Sequence, residues 1–581
     1  MKLKYKKWER YKKIGIYIHK MNSLTFVTVY MNIYETPFMK KDTEWRFQRF
    51  RKIASLGIPI CIFCSPDCME IMEEFIKEYP NIKIINYMTL QDTWTYKLCN
   101  SVENLEMPNN RNLDKDIRDY IILMNTKTEF LKYAIDANPW NSTHFAWIDF
   151  NIYHIFQRES YVNQYLTTLS KRTLPAKFIT FPGCWDKHYT IMEYLINDIC
   201  WRFCGGFFLG DKESILELDH LYRTFFPEFL ETTKKLVWEV NFWAYLENQK
   251  GWNPTWYYGD HNEQIIEISG DVCSRSIESF SNHIKYEYPS IVNFLPTSTA
   301  YIFHNGKHII NTRYVNYWLY PCGSYLIYHT ERHLYTKNIV SELNPETFHP
   351  LAFKEMDETS ISLEKHGGSI YGLEDIRLYE FGNEIRFIAT NVEYSSTGKN
   401  SMVRGKYDAD NGIYSDCVVL TPPTLHGGCE KNWIPIVKEN TEYFIYKWSP
   451  FKIGTVHTET NQLNIDIVWN HDTPFFNHVR GSTCFVETEA GLLGLVHFSE
   501  EKHPRHYFHI LVLLDKQTFR PLKYSENFYF HQLSIEFCVG FTIKNEKYHF
   551  WISNFDRDPE MVIIDPENIP LCFDFVIQEN N

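Results

Sequence analysis

The stretch IPICIFCSPDCMEIMEEFIKEYPNIKIINY, residues 58–87, decides the fold of the first half of the chain. IPICIFCS is a short continuous apolar run, the pattern of a strand buried on both faces, and PDCMEIMEEFIKEYP carries apolar residues at helical spacing behind a proline start. NIKIINY returns to a β pattern. A strand, a helix and a strand in succession make one crossover unit, and such units build largely parallel sheets covered by helices. The alternation extends in both directions. LTFVTVYM (24–31) reads as a strand, TEWRFQRFRKIASLG (43–57) as a helix stopped at Gly57, TEFLKYAIDANPW (128–140) as a helix and HFAWIDF (144–150) as the next strand. Up to about residue 270 the chain therefore reads as a doubly wound α/β domain.

Within HFAWIDFNIYHIF (144–156) a lone Asp149 interrupts an apolar run. A buried ion without a partner is costly, so Asp149 either faces a cleft at a strand end or has a cation. Doubly wound sheets bind ligands at the carboxyl ends of their strands, and a period of two places Asp149 and Asn151 on one face.

From about residue 285 the texture changes to short strands punctuated by Gly, Asn and Asp, among them TAYIFHNGKHII, EIRFIATNVEY, GLLGLVHFS and YHFWISNFD. Strand groups repeated over so long a span fit a β-propeller better than a single sandwich. The expected organisation is a basic leader at 1–21, an α/β domain at 22–275 and a propeller at 285–581.

Composition narrows the function. The 581 residues are 44% hydrophobic and 17% aromatic, a folded chain, and the net charge of -13 argues against a nucleic-acid binder. The basic start MKLKYKKWERYKKIGIYIHK lacks the apolar core of a secretory signal. Its Lys and Arg residues would allow weak contact with an anionic membrane surface, although a solvated terminus also fits. No apolar run is long enough to span a membrane. The 14 cysteines lack the spacing of a disulfide scaffold, and CIFC (61–64) lies in a strand, so free thiols in a reducing, cytoplasmic setting are expected. Abundant Ile, Asn, Lys and Tyr suggest an AT-rich genome, bacterial or that of a large DNA virus, in which case the setting is the host cytoplasm.

Three segments after Asp149 carry candidate chemistry. WRFCGGFFLGDKESI (201–215) sets Gly205 and Gly206 before a strand, LVWEVNFWAYLEN (236–248) puts Glu239 on an aromatic helix, and WYYGDHNEQ (256–264) ends in Asp260 and His261. Sugar transfer from a nucleotide diphosphate needs the leaving group neutralised, usually by a divalent metal, and a base near the acceptor. Asp149, Asn151 and His261 suit a Mg or Mn site, Glu239 suits the base, and Gly205 and Gly206 the close approach of a donor. The structural alternatives are a capping Asp149, a Glu239 bridged to Arg202, glycines that only permit a turn, and a structural His261.

In the β half, GLEDIRLYEFGNEIRF (372–387) holds Glu374, Asp375 and Arg377 between apolar positions, followed by CEKNWIPI (429–436), HVRGSTCFV (478–486), SIEFCVGF (534–541) and WISNFDRD (551–558). Charged groups beside strands are where propeller sheets feed a central pocket, and Trp433 and Trp448 offer aromatic faces for sugars. The alternative is a buried ion-pair network holding the sheets together.

FVTVYMNIYE, FAWIDFNIYHI, RFCGGFFLGDK, WEVNFWAYLE and WYYGDH, in that order, resemble the HtrL/YibB family over about residues 22–270. Its members are similar to GT-A glycosyltransferases, which hold metal and diphosphate with a short acidic motif; here DFN (149–151) stands in its place. The β half resembles the five-bladed propellers of mannoside phosphorylases and related β-mannosyltransferases. That resemblance implies Asp375 as the catalytic acid in a GxEDPR-like segment, with Ile376 for the usual proline and Glu374 and Arg377 as neighbours. The EKNW, RGS and IEF segments resemble still more a group of propeller proteins associated with glycan synthesis, which implies a pocket lined by Glu430, Lys431, Asn432, Arg480 and Glu536. The resulting expectation is a two-module glycosyltransferase using nucleotide sugars and a glycan acceptor, with a divalent metal. The alternatives are a propeller that acts as a glycoside phosphorylase or hydrolase, or that only binds glycans.

Overall fold

The computed structural model describes residues 24–34, 42–187, 190–424 and 428–578; the expected basic leader lies outside them. The chain divides into two compact units, 1–273 and 274–581.

The first unit is built on a seven-stranded sheet in the order β3-β2-β1-β4-β6-β5-β7. The strands are β1 (Leu24–Tyr30), β2 (Ile60–Cys64), β3 (Ile82–Tyr87), β4 (His144–Ile148), β5 (Ile179–Gly183), β6 (Phe207–Asp211) and β7 (Thr255–Tyr258). β1, β2, β3 and β4 pair in parallel, as do β5 and β7, whereas β6 runs antiparallel to both β4 and β5. The alternation of strand and helix foretells a largely parallel sheet, but not the reversed β6: its FFLGD run is as apolar as its parallel neighbours, and direction leaves no trace in composition. The helix Met69–Glu78 connects β2 to β3 and buries Met72 and Phe75. The helix Thr43–Ala54 is capped by Asp42, whose carboxylate accepts from the Trp45 amide. Behind the sheet the helix Glu239–Gln249 is buried on most faces because it sits among aromatic rings. Trp243 packs 5.3 Å from Phe208, which stacks on Phe181 at 4.6 Å; burying each such side chain contributes about 1.5–3 kcal/mol.

Among its described residues the second unit contains five successive, mainly antiparallel sheets of four or more strands and a two-stranded hairpin, Tyr317–Leu319 with Tyr325–Ile327. The innermost strands of four of the five sheets are Leu295–His304, Glu374–Phe381, Ile434–Lys438 and Glu536–Lys544; in the remaining one Arg480–Gly481 takes that place, pairing with Gly491–Glu500. Each sheet contacts the next, and Glu536–Lys544 contacts Leu295–His304, so the sheets close into a propeller-like ring. Asn305 and Gly306, both at positive φ, make the tight hairpin that starts the first sheet. Between and at the expected domain bounds lie two short strands of the second unit. Ser274–Ser276 pairs with Asn527–Tyr529, and Ser281–Lys285 supplies the outermost strand of the last sheet.

Candidate functional sites

In the first unit a cleft of about 410 Å³ opens where the parallel strands end, lined by Asp149, Asn151, Gly205, Gly206, Glu239 and His261 among others. Asp149 follows β4 directly, and its amide donates to the Gly206 carbonyl at 2.9 Å. The carboxylate does have a cation. Lys127, only 1% exposed, places Nζ 3.3 Å from Asp149 Oδ1, 2.8 Å from Glu239 Oε1 and 2.7 Å from the Gly205 carbonyl. The Trp147 indole also donates to Asp149 Oδ1, at 2.7 Å. Burial works against the charge on Lys127, but the two carboxylates outweigh it and hold the ammonium above its usual range.

Gly205 is a spatial necessity, since a Cβ there would lie 2.1 Å from Glu239 Oε1 and 3.0 Å from Lys127 Nζ. A Cβ on Gly206 would come within 3.1 Å of Ile265 and 3.7 Å of Asp149 Oδ2. The bridge from Glu239 to Arg202 does not form: Arg202 donates twice to Glu247, each time at 2.9 Å, and Glu239 belongs to Lys127. Lys127 was missed in the sequence, where its one signal is a lysine in the first turn of a helix, against the macrodipole. Of the three metal-ligand candidates, Asp149 and Asn151 share one loop. His261 is grouped instead with Cys184 and Cys204, with ligand atoms within 4.8 Å of one another; the two thiols are 3.6 Å apart.

In the second unit charged groups from different sheets collect at one mouth of the ring: Arg313, Asp375, Asp556 and Lys431 all act on Glu374, and Lys431 and Arg480 both act on His497. Arg313 donates to Asp375 Oδ1 at 2.9 Å and to Glu374 through its other terminal nitrogen. Burial works against the charge on Arg313, but the two carboxylates outweigh it and raise its pKa further. Asp375 sits at φ 50°, in the left-handed region, where the ladder with Glu384–Asn391 is interrupted by a bulge. Bulges and left-handed residues re-aim side chains, and they collect at functional positions. Asn432 at φ 65° and Asp556 at φ 50° share the feature. Burial pushes the Glu374 carboxyl up, as do Asp375 and Asp556, against the pull of Arg313 and Lys431. Asp556, which accepts from Tyr317 at 2.9 Å, is likewise raised by burial. Glu374 and Asp556 therefore retain a proton to higher pH than isolated acids. Lys431 lies within electrostatic reach of Glu374 and Asp556. Lys431 and Arg480 are exposed, and neither side chain makes a hydrogen bond or ion pair among the described residues.

Other expected pocket residues are placed in the walls. Arg377 is fully buried, donating to the carbonyls of Ser482 (2.6 Å) and Gly481 (3.1 Å) and to Asn432 Oδ1 (3.2 Å), which fastens three sheets together behind Asp375. Glu430 is buried and accepts from the Trp433 indole at 3.1 Å. Trp433 and Trp448 are 1% and 3% exposed, so neither presents a face to a sugar; their apolar bulk is used in packing, and Tyr325, 46% exposed, is the ring that stands open near the acids. Glu536 is fully buried and accepts from the amides of Phe530, His531 and Gln532 at 2.6, 2.8 and 3.0 Å, anchoring that loop.

Burial nevertheless pushes the Glu536 carboxyl up to about 7. The folded state then holds this proton more tightly than the unfolded state. Its stabilising contribution is complete below the unfolded pKa near 4.5 and declines as pH rises through about 7. Glu536→Gln removes that share, so between about pH 5 and 7 its denaturation midpoint falls less than that of the wild type. An equal fall in both proteins contradicts the assignment.

Residues 22–234 match the family model HtrL_YibB, described as a bacterial protein of unknown function. No curated protein matches the chain. Among solved structures the chain is similar to the β-1,2-mannobiose phosphorylase of Listeria innocua, at 13% identity over 49% of this chain and 97% of that one, TM-score 0.34. It is also similar to a mannose phosphorylase of Leishmania mexicana, at 12% identity over 52% and 94%, TM-score 0.34. A third similar structure is a glycosyl hydrolase of Bacteroides ovatus, at 10% identity over 52% and 100%, TM-score 0.33. The described residues include no helix long and apolar enough to cross a membrane.

Proposed function

We propose that the second unit cleaves glycosidic bonds, with inorganic phosphate as the nucleophile. The observation that carries this reading is Asp375, held on left-handed backbone beside Arg313 and two further carboxylates, at the same mouth as Lys431 and Arg480. Asp375 protonates the glycosidic oxygen; the bond to the anomeric carbon breaks, and a phosphate oxygen takes the vacated position. Lys431 and Arg480 bind the phosphate as unpaired cations. The likeness of GLEDIR to the corresponding segment of mannoside phosphorylases makes β-mannosides the substrates to try first. Lys431→Ala and Arg480→Ala are expected to raise the half-saturating phosphate concentration at least about tenfold, since each removes a charge-assisted bond of about 1.5–3 kcal/mol. Turnover unaffected by phosphate in the wild type would make the unit a hydrolase instead.

A second reading assigns sugar transfer from a nucleotide donor to the first unit; the cleft at the strand ends with Asp149 on its wall supports it. The residues present fit a Mg or Mn ion poorly. Asp149 Oδ1 is committed to Trp147 and Lys127, which leaves one carboxylate oxygen and the Asn151 amide where such ions want about six oxygen ligands. The basic side chains lining this cleft are Lys127, Arg46 and Lys115, of which Lys127 is the one paired with Asp149.

A further inference from the structure

The geometry points to a zinc-type metal site where the ring of the second unit closes, made by His283, His531 and Glu560. One ligand atom from each lies within 4.8 Å of the others. The three come from separate pieces of chain: His283 from the outermost strand of the last sheet, Glu560 from the strand paired with it, and His531 from the loop after Asn527–Tyr529. Glu560 is 1% exposed, and its Oε2 is buried without a hydrogen-bond partner, as is Nδ1 of His283 3.5 Å away. The two atoms face each other in a long ion pair too far apart for a good hydrogen bond, and a cation between them binds both. The second carboxylate oxygen, Oε1, is in contact with His531 Nε2.

The outer partners are those that metal-bound imidazoles use. The Ser281 hydroxyl is 2.7 Å from His283 Nε2, and Glu278 is 3.4 Å from His531 Nδ1. Each histidine thus has one nitrogen oriented from outside and the other turned toward Glu560, the arrangement that fixes ring orientation and raises ligand basicity. Two imidazoles and a carboxylate suit zinc better than magnesium or calcium. A cavity of about 420 Å³, walled by Lys285, Asn554, Arg557 and Asp558 among others, opens beside His531 and Glu560 and leaves room for water in the fourth position. Because His283 lies on the strand that completes the last sheet, the bound ion pins the ring shut.

The test uses the full chain, stripped of metal with a chelator and titrated with Co(II) and Zn(II). Wild-type protein is expected to show visible d–d bands with one equivalent of Co(II), without a sulfur charge-transfer band, and a rise in Tm with Zn(II). His283→Ala/His531→Ala loses both signals. Glu278→Gln, an exposed change that leaves the three ligands in place, weakens the metal about tenfold. The inference is overturned if the wild type gives no d–d bands, if the double variant keeps them, or if a sulfur band assigns the ion to Cys184 and Cys204.

Discussion

Asp375→Asn is expected to lower kcat/KM for mannoside cleavage by about 10²–10⁴-fold, the usual worth of a positioned general acid, while the melting curve stays within about 1 °C of the wild type. The structure supports this separation of activity from stability. Asparagine tolerates the left-handed backbone at φ 50° better than other replacements, and its amide oxygen can still accept from Arg313, whose bond to Glu374 is untouched. What is lost is the ionisable oxygen. Were residue 375 only a member of a structural ion-pair network, the same substitution would shift the melting curve and leave turnover per folded molecule unchanged.

Lys127→Met is expected to destabilise the first unit by about 3–5 kcal/mol, the range for removing one partner of a buried ion pair. Nearly all of this comes from Glu239, which is 4% exposed and loses its ammonium 2.8 Å away. Asp149, with its side chain 36% exposed, is rehydrated at little cost. The double variant Lys127→Met/Glu239→Gln therefore recovers most of the loss, and a double-mutant cycle on denaturation midpoints measures the coupling. A single variant within about 1 kcal/mol of the wild type contradicts the description of Lys127 as the charge partner on which this cleft is built.

The elements were legible in the sequence where periodicity is strong. The β2, Met69–Glu78 and β3 succession, the strand before Asp149 and the aromatic helix at Glu239 all lie where apolar spacing puts them. The short strand Ile179–Gly183 was not legible, because Pro182 and Gly183 argue against a strand until its neighbours are known. Within the sites, Asp375 and Glu374 could be found because acids between apolar residues are conspicuous. Their partner Arg313, 61 residues upstream of Glu374, could not be, and neither could Lys127, 112 residues from Glu239. Ion pairs across such separations are products of topology. The same holds for Trp433 and Glu536: a tryptophan or a glutamate beside a strand reads alike whether it faces the mouth of the ring or its wall.

The central claim is that the acids and free cations at the mouth of the ring perform phosphate-dependent cleavage. The most direct measurement is phosphorus NMR of the full chain incubated with β-mannosides and inorganic phosphate. The account predicts a new sugar-phosphate resonance that grows as phosphate is consumed and fails to appear with Asp375→Asn. Sugar released at the same rate with no phosphate consumed, or an undiminished resonance in the variant, would contradict it.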